Sequence, residues 1–523
     1  MTKYVINRLI RGLISVAVMV IIVMVMIFTL MDRQLIFAAD PVFSKQVHNS
    51  RTTYQYRKWE EYGYLDYVTF ADYLLQQTRS GVIDEETRAK AVTLGRTPEQ
   101  DSDLTAQYVA EFTDYYRSRG YEVTRMDTVM NGRKVANGGQ AVLFAAKDKP
   151  IWNRAVRYFT NIFVFDNIHR VEEDVGERKL TFTLYDPVYG GKKFSPAIMG
   201  NGTLHRYLLY CDNRFPYIHQ NFLTINLGKS FVVNQGVDVF ETMTRSQGAY
   251  IPSTITYPTG LTEVSADDLH TATYVAGSLK AGELLFGSRH TDDYTQTVTV
   301  KGGRSKMGYS FIFGIFAVAL AYLLGLPLGV LMALKADKLI DKIGTFYIIF
   351  VTAVPSLSYI FMVKTLGYAM GIPTSFDLES SNKMMYLLPI ISLAIPSVAR
   401  LMRWMRRYMI DQRNSDYVKF ARSNGLGEGE IFTKHIMRNA VVPIVQGIPA
   451  SILFSLVGAF YTERVYAIPG TGGLMVTAIQ TYDNNVIVGV CLFYGLLSVV
   501  SLILGDVLMA AVDPRISFNT KAR

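Results

Sequence analysis

The sequence predicts an α-helical polytopic membrane protein with six transmembrane helices and a mixed α+β extracytoplasmic domain after the first of them. Three observations carry this expectation. Half of the 523 residues are hydrophobic and only 19% are charged, a balance typical of chains that bury much of their surface in lipid. Runs of spanning length occur at the amino end and beyond Arg304, with none between Asp32 and Arg304. Between two of those runs lies a polar segment, Arg400 to Val445, with nine Lys or Arg against four Asp or Glu. An excess of that kind in a short loop marks the cytoplasmic side.

Composition also excludes several classes. The net charge of +9 does not imply nucleic acid, because the basic residues flank apolar runs, where membrane topology and lipid headgroups account for them. Cys211 and Cys491 are the only cysteines, too few for a disulfide framework, and the scattered histidines offer no zinc spacing. Asn201-Gly-Thr203 fits a glycosylation sequon but is a single chance-level match. Gly228-Lys229-Ser230 fails as a phosphate loop because Leu223 stands where the pattern needs glycine, and Gly191-Lys192 fails in the same way at Asp186. No nucleotide site is therefore expected in this chain.

Lys3, Arg8 and Arg11 precede Gly12 to Met31, a charge-free run long enough to cross a hydrocarbon core of about 30 Å. It is too long for a cleaved signal, although Ala38-Ala39 would suit one. We expect a first span with its amino end in the cytoplasm (residues 1–31) and an extracytoplasmic domain over 32–304. The first half of that domain reads as helical: Trp59 to Gln77, Asp84 to Leu94 and Asp101 to Tyr116, the last two with acidic starts. The second half reads as strands, with Lys179 to Tyr185 alternating and with Asn131-Gly132 and Asn137-Gly138 as turns.

Beyond it, 305–513 should hold five further helices. Gly308 to Leu334 is the second span, with Gly325 and Gly329 allowing close helix approach. Lys335 to Lys342 is a cytoplasmic turn, and Ile343 to Met370 is a third span broken near Pro355. Ile372 to Lys383, with Asp377 and Glu379, returns outside. Met384 to Ala399 is the fourth span, leading into the basic stretch 400–445. There, Asn414, Ser415 or Asp416 can cap a helix over Tyr417 to Ser423, Asn424-Gly425 can stop it, and Glu428 to Met437 reads as another short helix. Ile444 to Phe460 is the fifth span. Pro469, Gly470, Gly472 and Gly473 then forbid a continuous helix and imply an outside loop or re-entrant turn. Val486 to Ala511 is the sixth span, and Asp506 within it needs a partner in the bundle or a polar cavity. The tail, 514–523, is cytoplasmic.

Within the basic stretch, Tyr417, Val418, Ala421, Arg422, Gly425, Leu426, His435, Arg438, Asn439, Ala440 and Pro443 closely resemble the cytoplasmic loop of permease subunits of peptide-type ABC importers, the oligopeptide and dipeptide permeases. Where the broader family has Glu-Ala-Ala, this chain has Lys419, Phe420 and Ala421. Gln220 to Phe240 resembles the family's loop after the first span, which makes roughly 42–217 an insertion. Pro469, Gly470 and Gly472 match its Pro-Gly-x-Gly, and Asp513 to Ile516 resembles its terminus.

The resemblance implies a type I ABC importer permease, a transport subunit and not an enzyme. It implies a bacterial cytoplasmic membrane, both termini in the cytoplasm, and half of a pathway for oligopeptides. ATP and Mg would bind on two separate ATPase subunits docked through Asp416, Tyr417, Lys419, Ala421, Arg422, Gly425, Leu426, His435, Arg438 and Asn439. A second permease subunit and an extracytoplasmic peptide-binding protein, soluble or lipid-anchored, would complete the machine. The insertion is expected to position that binding protein or enclose the passage. Dipeptides, nickel or sugars are alternative cargoes, and a membrane-anchored receptor is the competing class.

Overall fold

In a computed structural model, the apolar runs are helices and the region after the first of them mixes helices with short antiparallel strands. The structure describes residues 2–512 except 96–101, 127–128, 131–132, 135–141, 166–176, 186–191, 193, 195, 201, 204–206, 212–217, 245–246, 248–249, 253, 257–261, 265–298, 302–303 and 379. The expected turns at Asn131-Gly132 and Asn137-Gly138, the sequon asparagine Asn201, Glu379 and the terminus from Asp513 lie outside the described residues. The chain forms two compact units: one comprises Met1–Val20, Ile162–Gln480 and Asn485–Arg523, and the other Ile21–Asn161 and Thr481–Asn484.

The second unit is built on a three-stranded antiparallel sheet in which Leu143–Asp148 lies between Leu65–Thr69 and Glu122–Arg125. Helices Phe70–Arg79, Glu85–Leu94 and Asp103–Arg117 contribute Phe70, Tyr73, Leu74, Ala91, Phe112 and Tyr116 to one buried cluster with Leu143 and Ala145 of the middle strand. Their starts are fixed by side-chain caps. Asp84 accepts from the Thr87 N–H and Ser102 from the Thr105 N–H, while Thr69 and Asp72 cap one another reciprocally.

One expectation fails here: Trp59 to Gln77 is not one helix. Helix His48–Glu61 ends before Gly63, which has φ +75°, and Leu65–Thr69 pairs as a strand with Asp148 back to Phe144. Leu65, Tyr67 and Thr69 are buried while Asp66 and Val68 are half-buried. That period of two, carried by Tyr, Val and Thr, decides for a strand.

In the first unit a four-stranded antiparallel sheet runs in the order Ile218–Gln220, Tyr207–Cys211, Ala197–Gly200, Leu180–Thr183, so the expected strand at Lys179 to Tyr185 is an edge of it. Among the described residues, four helices are long and apolar enough to cross a membrane: Lys3–Leu30, Lys306–Leu334, Lys383–Arg413 and Asn484–Val512. A fifth candidate is the pair Leu339–Ala353 and Ser356–Ala369, bent by 111°. Pro355 begins the second half, where its missing N–H and fixed φ interrupt the helix. The pair nevertheless runs the length of the fourth helix: Asp341 pairs with Arg406 near one end, while a Cβ at Gly367 would overlap Leu388 near the other. These two residues of the fourth helix are about 27 Å apart at ~1.5 Å per residue.

The second and fourth helices pack most intimately. A Cβ added at Gly325 would lie 2.9 Å from the Leu401 Cβ, and one at Gly329 would lie 2.8 Å from the Met405 Cβ and 2.9 Å from the Met402 carbonyl oxygen. Glycine at these two positions lets the backbones approach, so their role is packing. Asp506 has the bundle partners its position demanded: the Tyr4 hydroxyl donates to it at 2.9 Å and Arg8 Nε lies 3.1 Å away, both from the first helix.

Candidate functional site

The basic stretch does not become a loop at Arg400. The fourth helix, Leu387–Arg413, continues through Arg403, Arg406 and Arg407 and stops at Asn414. Ser415 then precedes the short helix Asp416–Ser423, and Gly425, at φ +79°, turns the chain after it. The second expected short helix is the start of something longer: Glu428–Glu430 passes into a π-helical turn, Ile431–Met437, and directly into Arg438–Gln446. Gly447 separates this from helix Ile448–Tyr466, which occupies the place of the fifth span.

The short helix is amphipathic on a small scale. Val418 and Ala421 are buried in the same cluster as Met405 and Met409 of the fourth helix and Ile431, Ile436 and Ala440 beyond the turn, with Leu426 against it. Its other face is open: Phe420 is 68% exposed, and Lys419 and Arg422 are also exposed. Tyr417 ties the two flanking helices together. Its hydroxyl donates to Gln412 Oε1 at 2.6 Å and lies 3.3 Å from the His435 carbonyl oxygen, while Asn439 Nδ2 donates to it at 3.1 Å.

Arg422 Nε and Nη2 donate to the two oxygens of Glu428 at 2.6 and 3.1 Å across the Gly425 turn, and Lys419 reaches Asp416 at 2.9 Å. The guanidinium holds the Glu428 carboxyl below its ordinary range, and Lys419 does the same for Asp416. The structure thus brings Asp416, Tyr417, Lys419, Ala421, Arg422, Gly425, Leu426, His435 and Asn439 into one knob. Arg438 opens the helix behind it and is exposed. Because the knob's core is continuous with the helix bundle, a force on its exposed face is transmitted to the fourth and fifth helices.

A second constellation lies in the bundle. Helix Ile448–Tyr466 ends at Ala467 in the left-handed conformation, Pro469 and Gly470 follow, and helix Thr471–Gln480 begins. Pro469 and Gly470 break the chain as expected, whereas Gly472 and Gly473 lie in the first turn of the new helix. Glu463, only 1% exposed, aims its carboxylate at that turn: the Gly473 N–H donates at 2.8 Å and the Ser310 hydroxyl, from the second span, at 2.6 Å. Ser310 in turn accepts from the Thr471 N–H at 2.9 Å, and the Thr471 and Tyr494 hydroxyls are 2.9 Å apart. A Cβ at Gly470 would overlap the Glu463 carboxylate.

Sequence reasoning missed Glu463. The signal available was a carboxylate in an apolar helix, the same signal that drew attention to Asp506. Among the described residues no group of His, Cys, Asp and Glu could hold a metal ion.

The family of binding-protein-dependent transport system inner membrane components matches residues 325–518, which include the knob and the Pro-Gly turn. The oligopeptide transport system permease protein AmiC of Streptococcus pneumoniae is 30% identical over 527 residues, covering 100% of this chain and 99% of its own. The chain belongs to this transport family. The dipeptide transport system permease protein DppB of Bacillus subtilis is 29% identical over 215 residues, which cover 40% of the present inner membrane component and 68% of DppB. A chain in the crystal structure of an amino acid ABC transporter with histidines matches 40% of it and 92% of itself, at 17% identity and a TM-score of 0.31. AmiC therefore shares this component's whole length, including the region after the first span.

Proposed function

We propose that this chain is one of two permease subunits of an ATP-driven oligopeptide importer in a bacterial cytoplasmic membrane, with both termini and the knob at 414–439 inside the cell. The observation that carries the proposal is the knob itself: Val418 and Ala421 are rooted in the bundle while Phe420, on the same helix, stands 68% exposed. An apolar ring presented on a rigid, charged mount is the form of a docking element. The occupant is an ATPase subunit, which binds ATP and Mg. Full-length similarity to a protein named for oligopeptide transport favours oligopeptides over dipeptides as cargo.

In this reading, closure of two ATPases around nucleotide moves the knobs and rocks the fourth and fifth helices between two states of the pathway. ATP biases the permease only by the difference in its linked affinity for those states. Binding protein delivers peptide from the other side.

The role of the knob's charge is testable. Arg422→Glu places a second carboxylate beside Glu428 and reverses the sign of the docking face, so uptake by reconstituted vesicles should fall roughly tenfold. ATP hydrolysis should no longer track uptake. Unchanged uptake would count against the docking role.

A further inference from the structure

Walking along the fourth helix from Leu387, the first charged side chain is Arg400, after thirteen residues of uncharged chain, LLPIISLAIPSVA, or about 20 Å of helix at ~1.5 Å per residue. A guanidinium at that depth is costly against lipid and is stable where it faces a polar cavity. Such a cavity is present. Arg400 lines a space of about 220 Å³ between the second, fourth and fifth helices, together with Tyr322, Ser397, Trp404, Tyr408 and Ser451. The Tyr322 hydroxyl lies 3.3 Å from Ser451 Oγ and 3.4 Å from the Ile444 carbonyl oxygen, so this wall is held in place from two helices. Trp404 and Tyr408 stack at 5.5 Å with their planes 24° apart.

We infer that this cavity is a transient subsite for the C-terminal carboxylate of the transported peptide, gripped by Arg400. The inference rests on the peptide-import reading and deepens it. Linear peptides of any sequence share one terminal carboxylate, and a planar guanidinium binds a carboxylate through two parallel N–H donors. The cavity is smaller than the ~300–1,000 Å³ of sites that enclose a drug-sized ligand. It therefore suits one end of a peptide and leaves the remaining side chains unread, as a carrier of varied sequences requires. Serine and tyrosine hydroxyls supply further donors, and the stacked rings supply a flat apolar wall for the last side chain.

The test uses the complete importer in liposomes, with its own ATPases, partner permease and binding protein. One tetrapeptide is supplied with a free C-terminus and as its C-terminal amide, and uptake of the two is compared for the unmodified chain, Arg400→Gln and Arg400→Lys. The unmodified importer should favour the free acid, and Arg400→Gln should cut that acid-to-amide ratio about tenfold, the size expected for loss of a charged hydrogen bond. Arg400→Lys should keep most of it. Any preference of the binding protein is common to all three and cancels in the comparison.

An equal acid-to-amide ratio in the unmodified importer and Arg400→Gln overturns the subsite. So does a fall, or complete loss, of uptake of both peptides alike in Arg400→Gln, which marks a lipid or packing contact. If the unmodified importer takes up neither peptide, the peptide reading itself has failed, and the subsite with it.

Discussion

Replacing Phe420 with aspartate will release the ATPase while leaving the permease folded. Phe420 is 68% exposed on the short helix Asp416–Ser423, and the buried cluster beneath that helix is built from its neighbours Val418 and Ala421. Truncating or charging an aromatic anchor at the centre of an interface costs about 2–4 kcal/mol, or roughly 30- to 1,000-fold in affinity. The affinity of the solubilised permease for its ATPase should fall by that factor, and vesicle uptake should drop to background. The unfolding temperature should stay within a degree or two, because the substituted side chain carries no packing. Phe420→Leu should keep much of the affinity. Where the broader family has alanine, this chain has a phenyl ring, so the ATPase that serves it should have a matching apolar hollow.

Replacing Glu463 with alanine is expected to damage the bundle itself. The substitution strips the acceptor from the Ser310 hydroxyl and the Gly473 N–H, both now paired with a residue only 1% exposed. Each buried donor left unpaired costs about 1–3 kcal/mol, so the loss should approach a few kcal/mol. The network links the second span through Ser310, the fifth through Glu463, helix Thr471–Gln480 through Thr471, and the sixth through Tyr494. Loss of its central acceptor should free the start of helix Thr471–Gln480. The expected readouts are a clearly lower unfolding temperature in detergent and more than tenfold slower uptake. Glu463→Gln keeps one carbonyl acceptor and should fall between. Normal stability of Glu463→Ala would show that the turn at Pro469 and Gly470 holds without this carboxylate.

How much was legible in advance follows from what composition encodes. Long apolar runs identify helices whatever their tertiary context, so the second and sixth spans fall within a few residues of their expected ends. Side-chain caps and glycine are local signals, and Asp84, Ser415 and Gly425 stand where those signals placed helix boundaries. The cost of burying Asp506 correctly demanded a partner, and Tyr4 and Arg8 provide it.

Other features depend on long-range structure. The helix running on to Arg413 was read as loop because polarity reports which residues meet water and is silent on whether the backbone is helical. Strand Leu65–Thr69 was hidden among aromatics that also fit a helical period, and only pairing with Leu143–Asp148 resolves it. The π-helical turn at Ile431–Met437 carries no compositional mark. Glu463 was passed over because Arg464 beside it made the end of the helix look like a membrane boundary, whereas its partners are more than 150 and about ten residues away in sequence.

The most direct test of the account places a cysteine at the tip of the knob. In the assembled importer, with Cys211 and Cys491 replaced by serine, Phe420→Cys should crosslink to the ATPase chain through a short thiol-reactive linker. It should also be shielded from an impermeant maleimide added outside intact cells. A residue 420 thiol labelled from outside, or one that forms no crosslink to any ATP-hydrolysing subunit while the complex remains assembled, would contradict the central claim.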